Sequence, residues 1–188
     1  MAFASDVRAR LGALPGVRGV TAGSPLPLDG GPGNVRWGTE AALTDPSAFE
    51  QADVHVVLPG YFETMGTRLL AGRDYTQTDN QASGNLIIID ELLAAKAFPN
   101  TNAVGQRLLV RARTNEAEWH EIIGVVEHQR NVTPAANSDE AIFLVDGYFG
   151  HGAAARWAIR TTGAPASMGP AVRAELARIE PLMPAAEL

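Results

Sequence analysis

Four histidines, His55, His120, His128 and His151, are the side chains of this sequence best suited to hold a metal or pass a proton. None has a histidine or carboxylate three or four residues further on in a helical context, the spacing that puts two ligands on one helix face. Trp119-His120-Glu121 reads as strand, where neighbouring side chains point to opposite sides. The expected state is four surface or edge-strand histidines. A shared zinc site would exist only if the fold gathered them.

Nucleophile chemistry fares no better. Gly23-Ser24-Pro25 is not a strand-to-helix elbow, because Pro25 and Pro27 forbid the helix, so Ser24 reads as a loop residue. Asp90 and Glu91 form a carboxylate pair, but at the start of a helix, where acidic residues cap free N–H groups and complement the helix dipole. Gly30-Gly31-Pro32-Gly33 lacks the following helix and the Lys-Ser/Thr of a phosphate loop, and reads as a mobile surface loop. Asn131-Val132-Thr133 fits a glycosylation pattern, which the following Pro134 argues against. Tyr148-Phe149, within Asp146–Gly152, places two aromatics in a flexible loop, to cover the core or to touch a partner. No catalytic, cofactor-binding or metal-binding residue is predicted.

The elements that carry these residues are legible in outline. Phe3, Val7, Leu11 and Leu14 step by four, four and three, which is one face of a helix. Pro15-Gly16 stops it, and a strand follows over 17–22. Ser24 to Asn34 is a loop rich in proline and glycine, and 53–58 is a strand. Pro59-Gly60 breaks the chain, Tyr61 to Met65 makes one or two helical turns, and Gly66 suits the left-handed residue that ends them. An extended segment from Leu69 is turned by Gly72. Asp74 and Asp79 bracket a polar loop before a buried strand at 86–89. A helix from Glu91 to Phe98 stops at Pro99, and strands follow at 104–110, 119–126, 141–145 and 156–160. A last helix starts near Pro165, with Met168, Val172, Leu176 and Ile179 on its apolar face, and ends at Pro181.

The two terminal helices resemble each other. Val7-Arg8-Ala9-Arg10-Leu11 leads to Pro15, and Val172-Arg173-Ala174-Glu175-Leu176 leads to Pro181. That pattern suggests a repeated β/α unit. The fold class is α+β. The two ends form one lobe, residues 1–58 and 136–188, into which a small α/β lobe, residues 59–135, is inserted.

Composition narrows the function. The chain has 188 residues with 15 basic and 21 acidic side chains, a formal charge of -6. No Lys/Arg cluster is dense enough to neutralise a phosphate backbone, so nucleic acid is not a partner. There is no cysteine, which excludes disulfide and thiolate chemistry. No apolar run approaches the roughly 18 residues that span a bilayer. Asp6, Arg8 and Arg10 interrupt any signal-peptide core. As a complete chain this would be a soluble cytoplasmic protein; as an excised piece, its membrane and targeting segments lie outside the cut. The end at Ala185-Ala186-Glu187-Leu188 fits a cut.

A series of motifs occurs in order along nearly the whole chain. It runs Pro15-Gly16-Val17, Ser24-Pro25-Leu26-Pro27-Leu28, Pro59-Gly60-Tyr61-Phe62-Glu63-Thr64-Met65-Gly66, Leu70-Ala71-Gly72-Arg73-Asp74 and Thr78-Asp79. It continues with Ile88-Ile89-Asp90-Glu91, Phe98-Pro99, Val104-Gly105-Gln106-Arg107-Leu108 and Ile122-Ile123-Gly124-Val125-Val126. Together they resemble the MacB-like periplasmic core domain of FtsX-like ABC transporter permeases. The resemblance implies a domain outside the cytoplasmic membrane, between the first and second membrane helices. It implies a porter-like lobe built from both ends and an inserted small α/β lobe. It also implies a non-enzymatic role, without cofactor or metal, that couples cytoplasmic ATP hydrolysis to export or mechanical work. The implied partners are the transporter's own membrane helices and ATPase domain, with a second permease copy, an adaptor, a lipoprotein, or a hydrophobic or peptide substrate beyond them. The chain departs from the family in Asp45–Asp53 and after Asp146, so contacts of family loops do not transfer. The rival readings are a periplasmic ligand-binding module and a free-standing small α/β enzyme. In the permease reading both ends emerge on one side, and the two terminal helices share one sheet.

Overall fold

Val7 and Leu11 recur at helical spacing, and the first segment winds accordingly into α1 (Ala2–Gly12), with both side chains buried. The computed structural model describes residues 2–27, 33–82, 84–129 and 140–179. The predicted features at Gly30-Gly31-Pro32, Asn131-Val132-Thr133, Pro181 and 185–188, and the boundary at 135, lie outside those residues. After α1 come β1 (Val17–Ser24), β2 (Gly33–Gly38), β3 (Glu50–Val57), α2 (Tyr61–Met65), β4 (Leu69–Gly72) and α3 (Gln77–Ala82). Then follow β5 (Leu86–Asp90), α4 (Glu91–Ala97), β6 (Arg107–Arg111), β7 (Glu118–Val126), β8 (Ala141–Val145), β9 (Arg156–Thr161) and α5 (Pro165–Ile179). The fold is α+β.

The strands form one continuous sheet in the order β2-β6-β7-β5-β8-β3-β1-β9, with β4 attached to β7. Its pairings also close on themselves. β2 pairs with β6 on one side and with the first half of β3 on the other, so β2, β6, β7, β5, β8 and β3 make a ring. Closure leaves those strands without a free edge. β3 changes partner along its length: Glu50 to Val54 face β2, while Val56 and Val57 face β1. The core inside the ring draws Val35 and Trp37 from β2, Leu108 and Val110 from β6, and the apolar runs of β5 and β8. Strands buried on both faces read as unbroken apolar runs, as 86–89 and 141–145 do.

The strands from both ends of the chain lie together, as β8-β3-β1-β9. On one face of β1 and β9, α1 and α5 share a cluster of Val7, Leu11, Val20 and Val172, bordered by Leu14, Met168, Leu176 and Ile179. Phe3 stays out of it at 38% exposure. β1 and β9 are antiparallel, with Val17 beside Thr161. The turns to both helices therefore lie at one end of this pair, and the start of α1 and the end of α5 lie together at the other.

Four sequence expectations give way. The predicted loop from Ser24 to Asn34 gives way to β2 at Gly33, and the strand runs on to Gly38 through residues given no element; Val35 and Trp37 point inward between Asn34 and Arg36, but the flanking glycines hide so short an alternation. The polar stretch after Asp74 contains α3. Its start is a reciprocal cap: the Thr76 N–H donates to Asp79 Oδ2 at 2.7 Å, and the Asp79 N–H donates to Thr76 Oγ1 at 3.1 Å. Asp146 to Phe149 is a 3-10 turn in place of the predicted loop, although Tyr148 is buried in the core as the core-covering alternative has it, with Phe149 39% exposed. His55 and His120 are fully buried, because each falls on an inward position of its strand.

Candidate functional site

The densest polar constellation lies where β5 and β7 end side by side. Asp90 closes β5 and caps α4, as its position predicts: its Oδ1 accepts the Leu93 N–H at 2.8 Å. Its Oδ2 stands 2.5 Å from His128 Nδ1. The His128 N–H donates to Glu91 at 3.2 Å. On either side of His128, Glu127 receives a two-pronged contact from Arg68 at 3.1 and 3.2 Å, and Gln129 donates to Thr67 and accepts from the Tyr61 hydroxyl at 3.4 Å. Three consecutive residues thus fasten the end of β7 to α2, to the link before β4, and to α4.

Burial sets the electrostatics. Asp90 is fully enclosed, and desolvation raises its pKa against the opposing hydrogen bonds from Leu93 and His128. Burial pushes the Tyr61 hydroxyl up to about 12. The Arg68 guanidinium lowers the Glu127 carboxyl, although both side chains are largely exposed.

An Asp–His pair can serve catalysis when a nucleophile lies against the other ring nitrogen. Both hydroxyls in this cluster are engaged by Gln129: Thr67 accepts from its amide nitrogen, and Tyr61 donates to its amide oxygen. Two depressions among the described residues are shallow. One, of about 440 Å³, lies against Arg113, Tyr148 and Phe149; the other, of about 380 Å³, lies between α2 and β9. Asp90 and His128 line neither. The constellation is a latch that holds the end of β7.

The remaining candidates are scattered. Ser24 ends β1. His55 Nδ1 faces the Pro25 carbonyl at 3.3 Å, and its ring stacks on Phe143 at 5.1 Å. His120 Nδ1 faces the Glu118 carbonyl at 3.0 Å. His151 Nδ1 lies 3.5 Å from Asp146, whose carboxylate also accepts the Gly152 and Ala154 N–H groups. Among the described residues no three His, Asp or Glu side chains gather as metal ligands, and no helix is long and apolar enough to cross a membrane. The latch had no local sign beyond the Asp90 cap, since His128 is 38 residues away in sequence. A second unforeseen cluster joins Arg113, stacked 3.6 Å above the Tyr148 ring, to Glu118, which accepts the Tyr148 hydroxyl at 2.8 Å.

The latch can be tested directly. Asp90→Ala removes the cap of α4 and the partner of His128, and should lower stability by about 1–2 kcal/mol, the usual range for a lost cap. Asp90→Asn keeps an oxygen for the Leu93 N–H and should retain more stability. Urea unfolding at neutral pH would show the order, and an alanine variant as stable as the asparagine one would contradict the capping role.

These features define an α+β scaffold: a closed strand ring, dispersed titratable groups, and two terminal helices side by side. The chain belongs to the family of MacB-like periplasmic core domains, whose model matches residues 3–178. It is thus the extracytoplasmic domain of an ABC transporter permease. The periplasmic region of MacB from Actinobacillus actinomycetemcomitans has the same fold, with a TM-score of 0.63 at 16% identity over 93% of this chain and 72% of that one. The extracellular domain of the noncanonic ABC-type transporter YknZ from Gram-positive bacteria gives 0.60 at 17% identity, over 93% of this chain and 80% of that one. No curated protein matches the sequence.

Proposed function

We propose that this domain is a non-catalytic coupling element. ATP hydrolysis on a cytoplasmic domain would move the membrane helices of the permease, and these would move α1 and α5 and the sheet they carry. The supporting observation is that the start of α1 and the end of α5 lie at one end of the β1–β9 pair and share one apolar cluster. Two adjacent membrane spans would need that arrangement. The domain then acts as a two-state element biased by nucleotide. Its working parts are residues 1–58 with 136–188 as the porter-like lobe, and 59–135 as the inserted lobe. β2 and the first half of β3 join the two through the ring. Its partners are the permease's own membrane helices and ATPase domain, then a second permease copy, an adaptor or a lipoprotein. No cofactor or metal enters this reading.

The chain has no cysteine, so single introduced thiols report cleanly. Leu43 is 59% exposed. In an otherwise cysteine-free full-length permease, Leu43→Cys should react with a membrane-impermeant maleimide in intact spheroplasts. Reaction only after lysis would defeat the extracytoplasmic placement. Phe3→Cys, near the start of α1, should react at different rates in the ATP-bound and nucleotide-free states. Equal rates would count against coupling through α1.

A further inference from the structure

On the outward face of the strand ring, three adjacent strands set polar side chains in a row. Gln51 of β3 lies opposite Arg36 of β2, and Arg36 lies opposite Arg111 of β6. The next residues, Trp37 and Val110, point into the core, so Arg36 and Arg111 stand on the outer side. Side chains directly opposite in an antiparallel pair have Cβ atoms about 5 Å apart, and like charges so placed destabilise the pair. Arg36 is exposed and Arg111 half-buried. Among the described residues neither makes an ion pair.

Phe49 brings the two guanidinium groups to one place. Its ring covers the next outward pair, Gly38 and Leu109: a Cβ on Gly38 would sit 3.4 Å from it, and Leu109 packs in its cluster. Both arginines therefore approach the ring from the same side. The Arg111 Cζ lies 3.9 Å from the ring centroid and the Arg36 Cζ 5.7 Å. One terminal nitrogen of Arg36 is fixed by donating to the Phe49 carbonyl at 3.2 Å. The Nε of Arg111 is enclosed and has no partner among the described residues, a costly state for a cation. Its terminal nitrogens are not enclosed and donate to no described group, so they face solvent.

The positive charge is local to this pair. Glu121 lies opposite Arg107 further along β6, and Glu40 and Asp45 lie on the turns between β2 and β3. A face so mixed, on a chain of charge -6, does not attract an anionic polymer through its summed field. It suits one compact anion held between two guanidinium groups. We propose that Arg36 and Arg111, with Gln51 beside them, form a binding site for a terminal phosphate group, supplied as free phosphate or as a lipid headgroup. A terminal phosphate carries about -1.5 to -2 at neutral pH and three acceptor oxygens, enough to answer both cations. A carboxylate brings one charge and two oxygens, and leaves one arginine unmet.

The test titrates the 188-residue chain by calorimetry at fixed ionic strength with inorganic phosphate and, separately, with acetate. A second arm measures cosedimentation with phosphatidylcholine vesicles that contain phosphatidic acid, whose phosphate is terminal. Phosphate should saturate at one site and bind at least about tenfold more tightly than acetate. Arg36→Gln and Arg111→Gln should each weaken it about tenfold or more. Arg107→Gln, on the same face but about 13 Å along the strand from Arg111, should leave it unchanged. Circular dichroism checks the fold, and Arg36→Gln, at an exposed position, decides the matter if Arg111→Gln does not fold. Cosedimentation that free phosphate competes away and Arg36→Gln abolishes would make the lipid headgroup the source; saturable phosphate binding without cosedimentation would make it free phosphate. Equal affinity for acetate would overturn the proposal. So would equal losses in all three arginine variants, which would mean diffuse charge, or no binding of phosphate or vesicles by the folded wild type. The site uses no residue of α1 or α5, so its failure leaves the coupling reading standing.

Discussion

Between pH 6.5 and about 4 the domain is expected to lose about 3 kcal/mol of stability through His55 alone, the free-energy equivalent of its pKa displacement. The imidazole is fully buried, and desolvation lowers its pKa from 6.5 to about 4, with only partial opposition from the Pro25 carbonyl. Above 6.5 it is neutral both folded and unfolded, and contributes no pH dependence. Below 6.5 the unfolded chain takes up a proton that the folded chain refuses until about 4, so stability falls as the pH falls. His55→Gln abolishes that titration while keeping a donor near Pro25. The wild type should therefore lose more stability than the variant between pH 7 and 4.5, by urea unfolding. His120, also buried and also lowered, adds to the slope in both proteins, whereas Asp74 and Asp90, raised by burial, act against it. The difference between wild type and variant isolates His55, and parallel pH profiles would refute the assignment.

The second large effect is expected at Phe143. This ring stacks on His55 and meets Phe62 edge-on at 5.0 Å, with Tyr61 6.3 Å away. Its carbonyl also accepts the Tyr75 hydroxyl at 2.9 Å. It sits on β8, between β3 and β5, where the strands of the chain ends meet the rest of the ring. Phe143→Ala should cost about 3–5 kcal/mol, the range for emptying a filled aromatic site. Phe149→Ala, six residues on and partly exposed, should cost less than about 1 kcal/mol. Thermal or urea melts of the two variants would separate them, and similar losses would mean that the aromatic cluster is not the centre of the core.

The contrast between these rings marks where the sequence was readable. Apolar spacing placed α1 and α5, and apolar alternation or unbroken apolar runs placed the strands at 17–24, 50–57, 86–90, 118–126, 141–145 and 156–161 within a few residues, because burial of one face or of both is written into adjacent residues. Asp90 was read as a cap because capping is local. Gly66, at φ 80°, ends α2 as its position after Met65 suggested. What failed depends on partners far away in the chain. β2 has only two inward side chains and gains its strand identity from pairing with β3 and β6. His55 looks like any strand histidine until β3 is given neighbours on both edges. The latch joins residues 37 to 68 positions apart, from Glu91 with His128 to Tyr61 with Gln129, and no short window contains both halves. The family motifs supplied what periodicity could not, namely the order of the parts.

The antiparallel pairing of β1 with β9, with α1 and α5 lying back across them, has a mechanical meaning. A load that draws the two helix tips apart acts on their contacts one after another, from the tips inward, so the structure is compliant in that direction. A load that shifts both tips together meets the β1–β9 hydrogen bonds and the apolar cluster all at once, and behind them a closed ring that cannot splay. The domain is therefore stiff to common displacement and soft to separation; in the proposed coupling role it would pass on concerted movement of the helix tips and absorb uncoordinated jostling.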